Sequence, residues 1–295
     1  MENKKIILGT VQMGLLYGIN NTTGRVAFDD SQNILSNAYH AGIRILDTAE
    51  TYGNAHQIIG DFHRVNPSNI FSVITKIPPS DNLIDIEDRI VRYLNELSVS
   101  HLEALMFHSF QSYINHKESL AKLTKLKKDG FFKQLGVSIY TNNELHALLK
   151  DDEIDLIQLP FNLLDNFTIR GELMLEAKRK GKTIHTRSAF LQGLLFKNPM
   201  DKHPMVQALQ YQLLTIQDIL SKQGTSMTSL ALGYCLSQSC IDQVLIGVDS
   251  VKQLETNLEA SNYQIDKKLI QRINEIQTDN LDLLNPSLWD MKVFN

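Results

Sequence analysis

Four side chains that can exchange protons or hydrogen-bond an oxygen stand at or just beyond the ends of short apolar runs: Asp47, Tyr52, Lys76 and His108. Singly, each has an ordinary explanation as a helix cap, a packing residue or a loop histidine. Together they would form a proton-transfer site, because a lysine ammonium can lower the pKa of a tyrosine from its usual value of about 10. The aspartate would hold the lysine, and the histidine would hydrogen-bond the substrate oxygen or share the proton. This set suits carbonyl reduction, for which a cofactor must supply the hydride.

Short β-rich runs alternate with helical patterns along the chain. Strands are predicted at Ile6–Thr10, Ile43–Asp47, Ile70–Thr75, Leu102–Phe107, Gln134–Ser138, Ile154–Leu159, Thr183–Arg187 and Gln243–Ile246. Helices are predicted at Asp30–Ala41, His56–Arg64, Ile84–Leu97, Glu118–Lys128, Asn143–Leu149, Glu172–Lys180, Val206–Ser221, Met227–Ser237, Val251–Ala260 and Leu269–Ile276. Repeated βα units predict a parallel sheet.

A closed (β/α)8 TIM barrel is favoured over an open doubly wound sheet, because no Gly-x-Gly-x-x-Gly turn follows any of the predicted strands. We predict one domain over residues 1–295, with a tail of about 279–295 that contributes to the pocket. In such barrels the active site lies at the carboxyl ends of the strands. Ser138 and Gln158 also fall near strand ends and join the candidate site.

The charge and cysteine content indicate the class of protein. The chain has 29 basic and 33 acidic side chains, so its net charge of -4 argues against nucleic-acid binding. Cys235 and Cys240 are too few for a disulfide framework and are expected to be buried thiols. Neither an N-terminal signal nor a membrane-spanning run is visible in the sequence, so we expect a soluble cytoplasmic protein.

The chain resembles the aldo-keto reductase superfamily at these residues and in further segments that occur in the family's order. The segment 47–53 resembles the family signature Asp-Thr-Ala-x-x-Tyr-Gly. The other matching segments are Ile74-Thr75-Lys76, Leu105 to His108, Gly130 to Ser138, Gln158, Leu191 to Leu195, and Ile246 to Asn257.

The resemblance implies a barrel enzyme with NADP(H) or NAD(H), without a Rossmann domain and without a metal. Ser138 and Gln158 would bind the nicotinamide amide, the segment beginning at Leu191 would cover the pyrophosphate, and Asn257 would bind adenine. The full set of implied cofactor residues is Gln12, Asp47, Ser138, Gln158, Arg187, Ser188, Leu191, Gly193, Gly247, Ser250, Gln253 and Asn257.

The sequence departs from the family pattern at several positions. Ile139 replaces the asparagine that often follows the serine, and Ile246 replaces a proline. Arg187 stands where an aromatic ring usually stacks on nicotinamide; a guanidinium plane can also stack, but it carries a charge. An arginine that often holds the 2′-phosphate is replaced by Gln253, with Asp249 nearby, while Ser250 and Lys252 remain available for a phosphate. The resemblance favours NADP(H), and these changes leave NAD(H) open.

Aromatic residues are expected to wall the substrate pocket. The predicted walls are Leu16 with Tyr17, Phe110, Phe161 and Trp289, a set that suits a sugar or a modest aldehyde. Trp289 could equally anchor the tail. Two other functions stay open: a lyase or aldolase with a Schiff base on Lys76, and a nucleotide-binding regulatory subunit with little turnover. The sequence does not identify the substrate, the reaction direction or the oligomeric state.

Overall fold

Eight parallel strands close into a barrel in the computed structural model, which describes residues 5–22, 24–79, 83 and 85–289. Each strand pairs with the next along the chain, and the first pairs with the last through Ile6 and Val244. The strands are β1 Ile6–Gly9, β2 Ile45–Asp47, β3 Ser72–Ile77, β4 Leu102–Phe107, β5 Phe132–Ser138, β6 Leu156–Pro160, β7 Thr183–Arg187 and β8 Gln243–Gly247. The predicted (β/α)8 barrel is confirmed.

Helices follow the strands and cover the outside of the barrel. They are α1 Val11–Gly14, α2 Phe28–His40, α3 Ala55–Val65, α4 Ile86–Leu97, α5 Phe110–Asn115, α6 Leu120–Lys128, α7 Asn142–Leu148, α8 Phe167–Arg179, α9 Pro204–Ala208, α10 Gln210–Gln223, α11 Met227–Ser237, α12 Val251–Ala260 and α13 Lys267–Asn274. Short 3-10 turns occupy Lys117–Ser119, Leu191–Phe196, Leu281–Leu284 and Pro286–Leu288. No helix in the described ranges is long and apolar enough to cross a membrane.

The helix boundaries differ from the sequence prediction where local backbone signals were overlooked. The helix predicted over 206–221 is two helices, because Leu209 (φ -109°, ψ 17°) interrupts it and Pro204 starts the first of them. Helix α8 starts five residues earlier than predicted, since the Asn166 side chain accepts a hydrogen bond from the Thr168 amide. Ile84, the predicted start of another helix, lies outside the described residues.

The barrel interior changes from apolar to polar along the strands. Side chains two residues apart on a strand share a face, and an apolar cluster of Ile7, Ile74, Ala104, Met106 and Leu156 fills the lower interior. Two residues further along their strands, Ile74 is followed by Lys76 and Leu156 by Gln158. The pleat of the strands therefore places polar groups directly above a dry apolar cluster.

A buried ion pair joins the segments that follow β5 and β6. Arg170 binds both carboxylate oxygens of Asp165, at 2.6 and 2.8 Å, and the two side chains are 6% and 1% exposed. The same guanidinium donates to the Tyr140 carbonyl at 2.6 Å and to the Asn142 side chain at 3.0 Å. Arg170 thus fixes the segment after β5 to the segment after β6 at the carboxyl end of the barrel.

Replacing Arg170 by methionine should destabilise the fold strongly, because Asp165 would be left as a buried and unpaired carboxylate. We expect a loss of about 3–5 kcal/mol in the free energy of unfolding, measured by chemical denaturation. Lys125→Met removes the lysine of an exposed pair with Asp129 and serves as the control, with little change expected. Equal effects from the two substitutions would contradict this account.

Candidate active site

An ion pair between Asp47 and Lys76 forms the floor of the site. The Lys76 ammonium donates to Asp47 Oδ1 and, at 3.1 Å, to the Thr48 carbonyl, and both charged side chains are 2–3% exposed. Gln158 Nε2 donates to the other Asp47 oxygen at 2.8 Å. The carboxylate is therefore satisfied on both oxygens, as a buried charge requires.

The loop that carries Tyr52 is held from both sides. Gly14 in α1 lies so close that an added Cβ would stand 1.7 Å from the Tyr52 carbonyl oxygen, so the position requires glycine. On the other side, Glu50 accepts hydrogen bonds from Arg89 at 3.0 Å, from Arg92 at 2.6 Å and from the Tyr93 hydroxyl. These contacts fix the loop without using the Tyr52 side chain.

The four predicted catalytic residues come together at the carboxyl end of the barrel. The Lys76 nitrogen lies 5.5 Å from the centre of the Tyr52 ring. The His108 ring meets the Tyr52 ring edge to face, with centroids 5.9 Å apart. His108 Nδ1 lies 3.3 Å from Thr51 Oγ1 in the same loop. The structure thus brings Asp47, Tyr52, Lys76 and His108 into one cluster.

The electrostatics of Tyr52 differ from the sequence expectation. Burial, and then the Asp47 carboxylate, raise the pKa of Tyr52 well above its usual range, and the positive charge of Arg187 opposes them in part. Lys76 was expected to lower this pKa. Burial and Asp47 outweigh any lowering by Lys76, so the net shift of the Tyr52 pKa is upward.

His108 is a neutral imidazole in this environment. Burial, reinforced by the Lys76 ammonium, lowers the pKa of His108 to about 4. At neutral pH it can therefore hydrogen-bond a substrate oxygen as an uncharged donor. It adds no positive charge to those of Arg187 and Lys76.

A cavity of about 460 Å³ opens beside Tyr52 and reaches Asn257 on α12, a volume within the range of small-molecule sites. Two features fit a nucleotide. The buried Gln12 Oε1 has no hydrogen-bond partner, and Gly247 leaves room that a Cβ would fill, at 2.3 Å from Gln12 Nε2. The implied cofactor residues that line this cavity are Gln12, Asp47, Gln158, Arg187, Ser188, Gly193, Gly247, Gln253 and Asn257.

Three implied cofactor residues do not line the cavity. Ser138 is 6% exposed and is paired with Gln158 in the strand register. Leu191 is fully buried beneath its loop, with a left-handed backbone (φ 47°). Ser250 caps α12, its hydroxyl accepting from the Gln253 amide at 3.2 Å. The side chains of Leu191 and Ser250 thus serve the local structure in this arrangement.

Two loops bond to each other along one side of the cavity; we call this contact the loop bridge, and it joins residues 17–20 to residues 192–193. Asn20 Nδ2 donates to the Gly193 carbonyl at 2.7 Å, and the Ile19 amide donates to the Gln192 carbonyl at 3.1 Å. Gln192 Nε2 also donates to the Tyr17 hydroxyl at 3.0 Å. The segment after β1 and the segment after β7 thus share one wall.

The far end of the cavity carries charges of both signs. Asp249 and Lys252 both line it. Asn21 Nδ2 lies 3.3 Å from Asp249 Oδ1, and the Asp249 amide donates to Gln253 Oε1 at 2.8 Å. Burial raises the pKa of Asp249, and Gln253 partly opposes this. The Asp249 carboxylate therefore lies where it can contact a ligand bound at this end of the cavity.

Most of the predicted substrate walls lie elsewhere. Phe161 is fully buried and stacks on Tyr234, with ring centroids 5.4 Å apart, so it belongs to the core. Trp289 is 5% exposed and donates to the Leu283 carbonyl at 3.0 Å, which anchors the tail. Phe110 packs against Tyr113 outside the cavity lining, and Leu16 is 66% exposed. Tyr17 does line the cavity.

The tail does not reach the cavity in the described range: none of residues 279–289 lines it, and residues 290–295 lie outside the described residues. Reasoning from sequence overlooked Asn20 and Gln192 of the loop bridge, Glu50, and Tyr140, whose ring lies under Arg187. Their positions just after β1, β7, β2 and β5 were the available signal.

No group of three or more histidine, cysteine, aspartate or glutamate side chains that could hold a metal ion occurs within the described part of the chain.

The chain is similar in sequence to known proteins. The family model described as "Aldo/keto reductase family" matches residues 5–278. The oxidoreductase YqkF of Bacillus subtilis (strain 168), itself uncharacterised, is 24% identical over 254 residues, covering 78% of this chain and 81% of its own. The L-galactose dehydrogenase of Arabidopsis thaliana is 24% identical over 286 residues, covering 90% and 89%.

A solved structure gives the same fold. The aldo-keto reductase AKR11C1 from Bacillus halodurans, in its holo form, superposes with a TM-score of 0.74 at 19% identity, covering 94% of this chain and 93% of that one.

The neutral state of His108 can be tested by following histidine NMR resonances with pH. Because its pKa lies near 4, the His108 resonance should not move between pH 8 and about pH 5, whereas an ordinary histidine titrates near 6.5. The His108→Gln variant assigns the resonance by its disappearance. A His108 titration midpoint between about pH 6 and pH 7 would mean that the imidazole is not held neutral.

Proposed function

Because the chain belongs to the aldo/keto reductase family, we propose that it transfers hydride between a nicotinamide cofactor and the carbonyl carbon of an aldehyde or ketone, with Tyr52 exchanging the proton on the oxygen. The observation that carries the proposal is the convergence of Tyr52, His108 and the Asp47–Lys76 pair at one end of a cavity that extends to Asn257. The dihydronicotinamide supplies the hydride when it is bound.

The chain's own residues supply the proton and the orientation. A tyrosine is protonated at neutral pH, and burial and Asp47 raise the pKa of Tyr52 further. Tyr52 therefore gives up its proton only to a strongly basic oxygen, such as the alkoxide that forms during reduction. Neutral His108 is placed to hold the same oxygen by a hydrogen bond. The Asp47–Lys76 pair, satisfied by Gln158, keeps the floor rigid, which preserves the alignment of these donors.

The cavity offers different contacts along its length for a dinucleotide. Gln12 and Gly247 fit the part nearer the barrel, where the unpartnered Gln12 oxygen can accept a hydrogen bond. Asn257, 7% exposed on α12, fits the adenine end. Residues of the loop bridge also line the cavity and would contact the phosphates of a bound dinucleotide.

We propose that both NADH and NADPH are accepted. The family resemblance favours the phosphorylated form, and Lys252 at the start of α12 supports it. The Asp249 carboxylate acts in the opposite direction, because it repels a 2′-phosphate and accepts a hydrogen bond from a ribose hydroxyl. The two charges therefore have opposing effects on the preference.

For the substrate we propose a small polyhydroxylated carbonyl compound, such as a sugar. Three of the groups that line the same cavity as Tyr52 can hydrogen-bond hydroxyl groups: the Tyr17 hydroxyl, the Arg187 guanidinium and the Gln192 amide. Hydroxyl groups of a substrate could replace hydrogen bonds with water there. The relative named for L-galactose is consistent with this class.

A Schiff-base lyase is not favoured by the surroundings of Lys76. Its side chain is 2% exposed, does not line the cavity, and donates to Asp47 and to the Thr48 carbonyl. A nucleophilic amine must be uncharged and must reach a substrate carbonyl. No observation favours a regulatory subunit without turnover.

Tyr52→Phe should retain cofactor binding and lose most of the activity, because only the proton donor is removed. We expect reduction of D- and L-glyceraldehyde and methylglyoxal to fall about 100-fold or more in kcat, with an unchanged Kd for NADPH. Tyr39→Phe is the matched control, since it removes a hydroxyl that bonds the remote Ser68 carbonyl. Reduction at the parent rate by Tyr52→Phe would refute the proposed role.

Asp249→Asn should shift the nucleotide preference toward NADPH, because the variant loses the charge that repels the 2′-phosphate. We expect the ratio of NADH to NADPH dissociation constants to rise about two- to fivefold, measured by fluorescence titration. Lys252→Gln should move the same ratio in the opposite direction. If both variants move it the same way, the assignment of this cavity end is incorrect.

A further inference from the structure

Arg187 is held flat on the cavity wall at the end of β7. One face of its guanidinium lies on the Tyr140 ring, 4.1 Å from the ring centre. Nη2 donates to the Ile139 carbonyl at 3.0 Å, and Nη1 lies 3.4 Å from Ser188 Oγ. The Tyr140 backbone is itself fixed by Arg170. Arg187 is thus a positioned group whose second face is not covered by a described ring.

Arg187 is also a cation near Tyr52 that makes no ion pair within the described ranges, although its charge opposes the raised pKa of the buried Asp165, which pairs with Arg170. Lys76 is paired with Asp47 and does not line the cavity. No carboxylate in the described ranges lies within 4.0 Å of the Arg187 guanidinium, which lines the cavity together with Tyr52, Tyr17 and Gln158. Its field is weakly screened there, because the surroundings are largely buried.

We propose that Arg187 is the fixed positive charge of the reaction centre: it stabilises the deprotonated form of Tyr52 and disfavours the oxidised, positively charged nicotinamide relative to the reduced ring. The proposal rests on the hydride-transfer function proposed above. It assigns to Arg187 the electrostatic role that the sequence had suggested for Lys76.

The charged and titratable groups around Tyr52 support this assignment. They come from six strand ends: Tyr17, Asp47, Lys76, His108, Tyr140 and Arg187. Burial, Asp47 and Tyr140 raise the pKa of Tyr52, and Arg187 lowers it. His108 is neutral near pH 7, and Lys76 is paired. Arg187 likewise opposes the raised pKa of Tyr17.

The charge balance of the reaction explains why one cation has two effects. In the proposed reaction a bound dihydronicotinamide would supply the hydride to the carbonyl carbon and would carry a positive charge afterwards. Tyr52 would give its proton to the carbonyl oxygen and would be left as a negatively charged phenolate. Both new charges lie close to the substrate, since hydride and proton go to adjacent atoms. Arg187 attracts the phenolate and repels the oxidised ring, so it favours NADH over NAD⁺ in the binary complex.

The test compares Arg187→Met, Arg187→Lys and Arg44→Met. Arg44 is a matched control, because its guanidinium also lies on a tyrosine, 4.2 Å from the Tyr39 ring centre, and donates to two carbonyls just before β2 begins, at the end of the barrel opposite the site. Arg187→Lys keeps the charge and loses the flat stacking group. Fluorescence and calorimetric titrations give the dissociation constants of NAD⁺ and NADH without turnover.

Arg187→Met should lower the ratio of NAD⁺ to NADH dissociation constants by about tenfold, as expected for removing roughly 1.4 kcal/mol of repulsion. Arg187→Lys should retain most of the parent ratio, and Arg44→Met all of it. In the oxidation of L-galactose at saturating NAD⁺ and a fixed pH of about 9, kcat/KM should fall about tenfold in Arg187→Met, because the Tyr52 phenolate forms less readily.

Other outcomes would overturn the inference. An unchanged nucleotide ratio in Arg187→Met, or an equal loss of affinity for both nucleotides, would make Arg187 a structural or stacking residue. A loss confined to glyoxylate, with neutral methylglyoxal unaffected, would make it an anchor for a substrate anion. If the parent protein binds neither nucleotide, the proposed function fails and this inference with it. If the parent binds both, a constant ratio refutes only the role of Arg187.

Discussion

The buried ion pair of Asp47 and Lys76 is the constraint around which the carboxyl end of the barrel is organised. Removing two charges from water is costly unless each is paired and hydrogen-bonded. The chain meets this requirement with three separate strands, since Gln158 and the Thr48 carbonyl complete the set. An apolar cluster lies directly beneath the pair, so water cannot take over these contacts from below. The rest of the site is built upon this closed floor.

The acidity of the tyrosine above the pair depends on burial, on one member of the pair and on a more distant cation. Burial and one carboxylate oppose ionisation of Tyr52, while a guanidinium from the far side of the barrel favours it. That guanidinium is held by an aromatic ring whose backbone is tied to the buried pair of Asp165 and Arg170. Positioning therefore extends from the reaction centre into the outer wall through a chain of packed and hydrogen-bonded groups.

Sequence pattern is sufficient for what depends on local periodicity. The alternation of strands and helices, and the strand-end positions of Asp47, Lys76 and His108, follow from it, because parallel strands in a closed barrel end at one rim. The sequence pattern could not distinguish aromatic residues that line the substrate pocket from those that pack in the hydrophobic core. Phe161 looks like a pocket residue one position beyond its strand, but its ring is packed on a helix.

The electrostatic balance was also out of reach of the sequence, because it depends on distances: Lys76 is one of two nearby cations, and only the fold shows which of them is already paired. Loop partners such as Asn20 are equally invisible, since they meet across a sequence separation of 173 residues.

The loop bridge has a consequence for how a cofactor would enter and leave the cavity. Its three hydrogen bonds join two segments that border the cavity although they are more than 170 positions apart in the chain. Under the proposed function, a dinucleotide lying beneath the bridge would leave only after these bonds had opened. Movement of the two segments would then accompany each exchange of the cofactor.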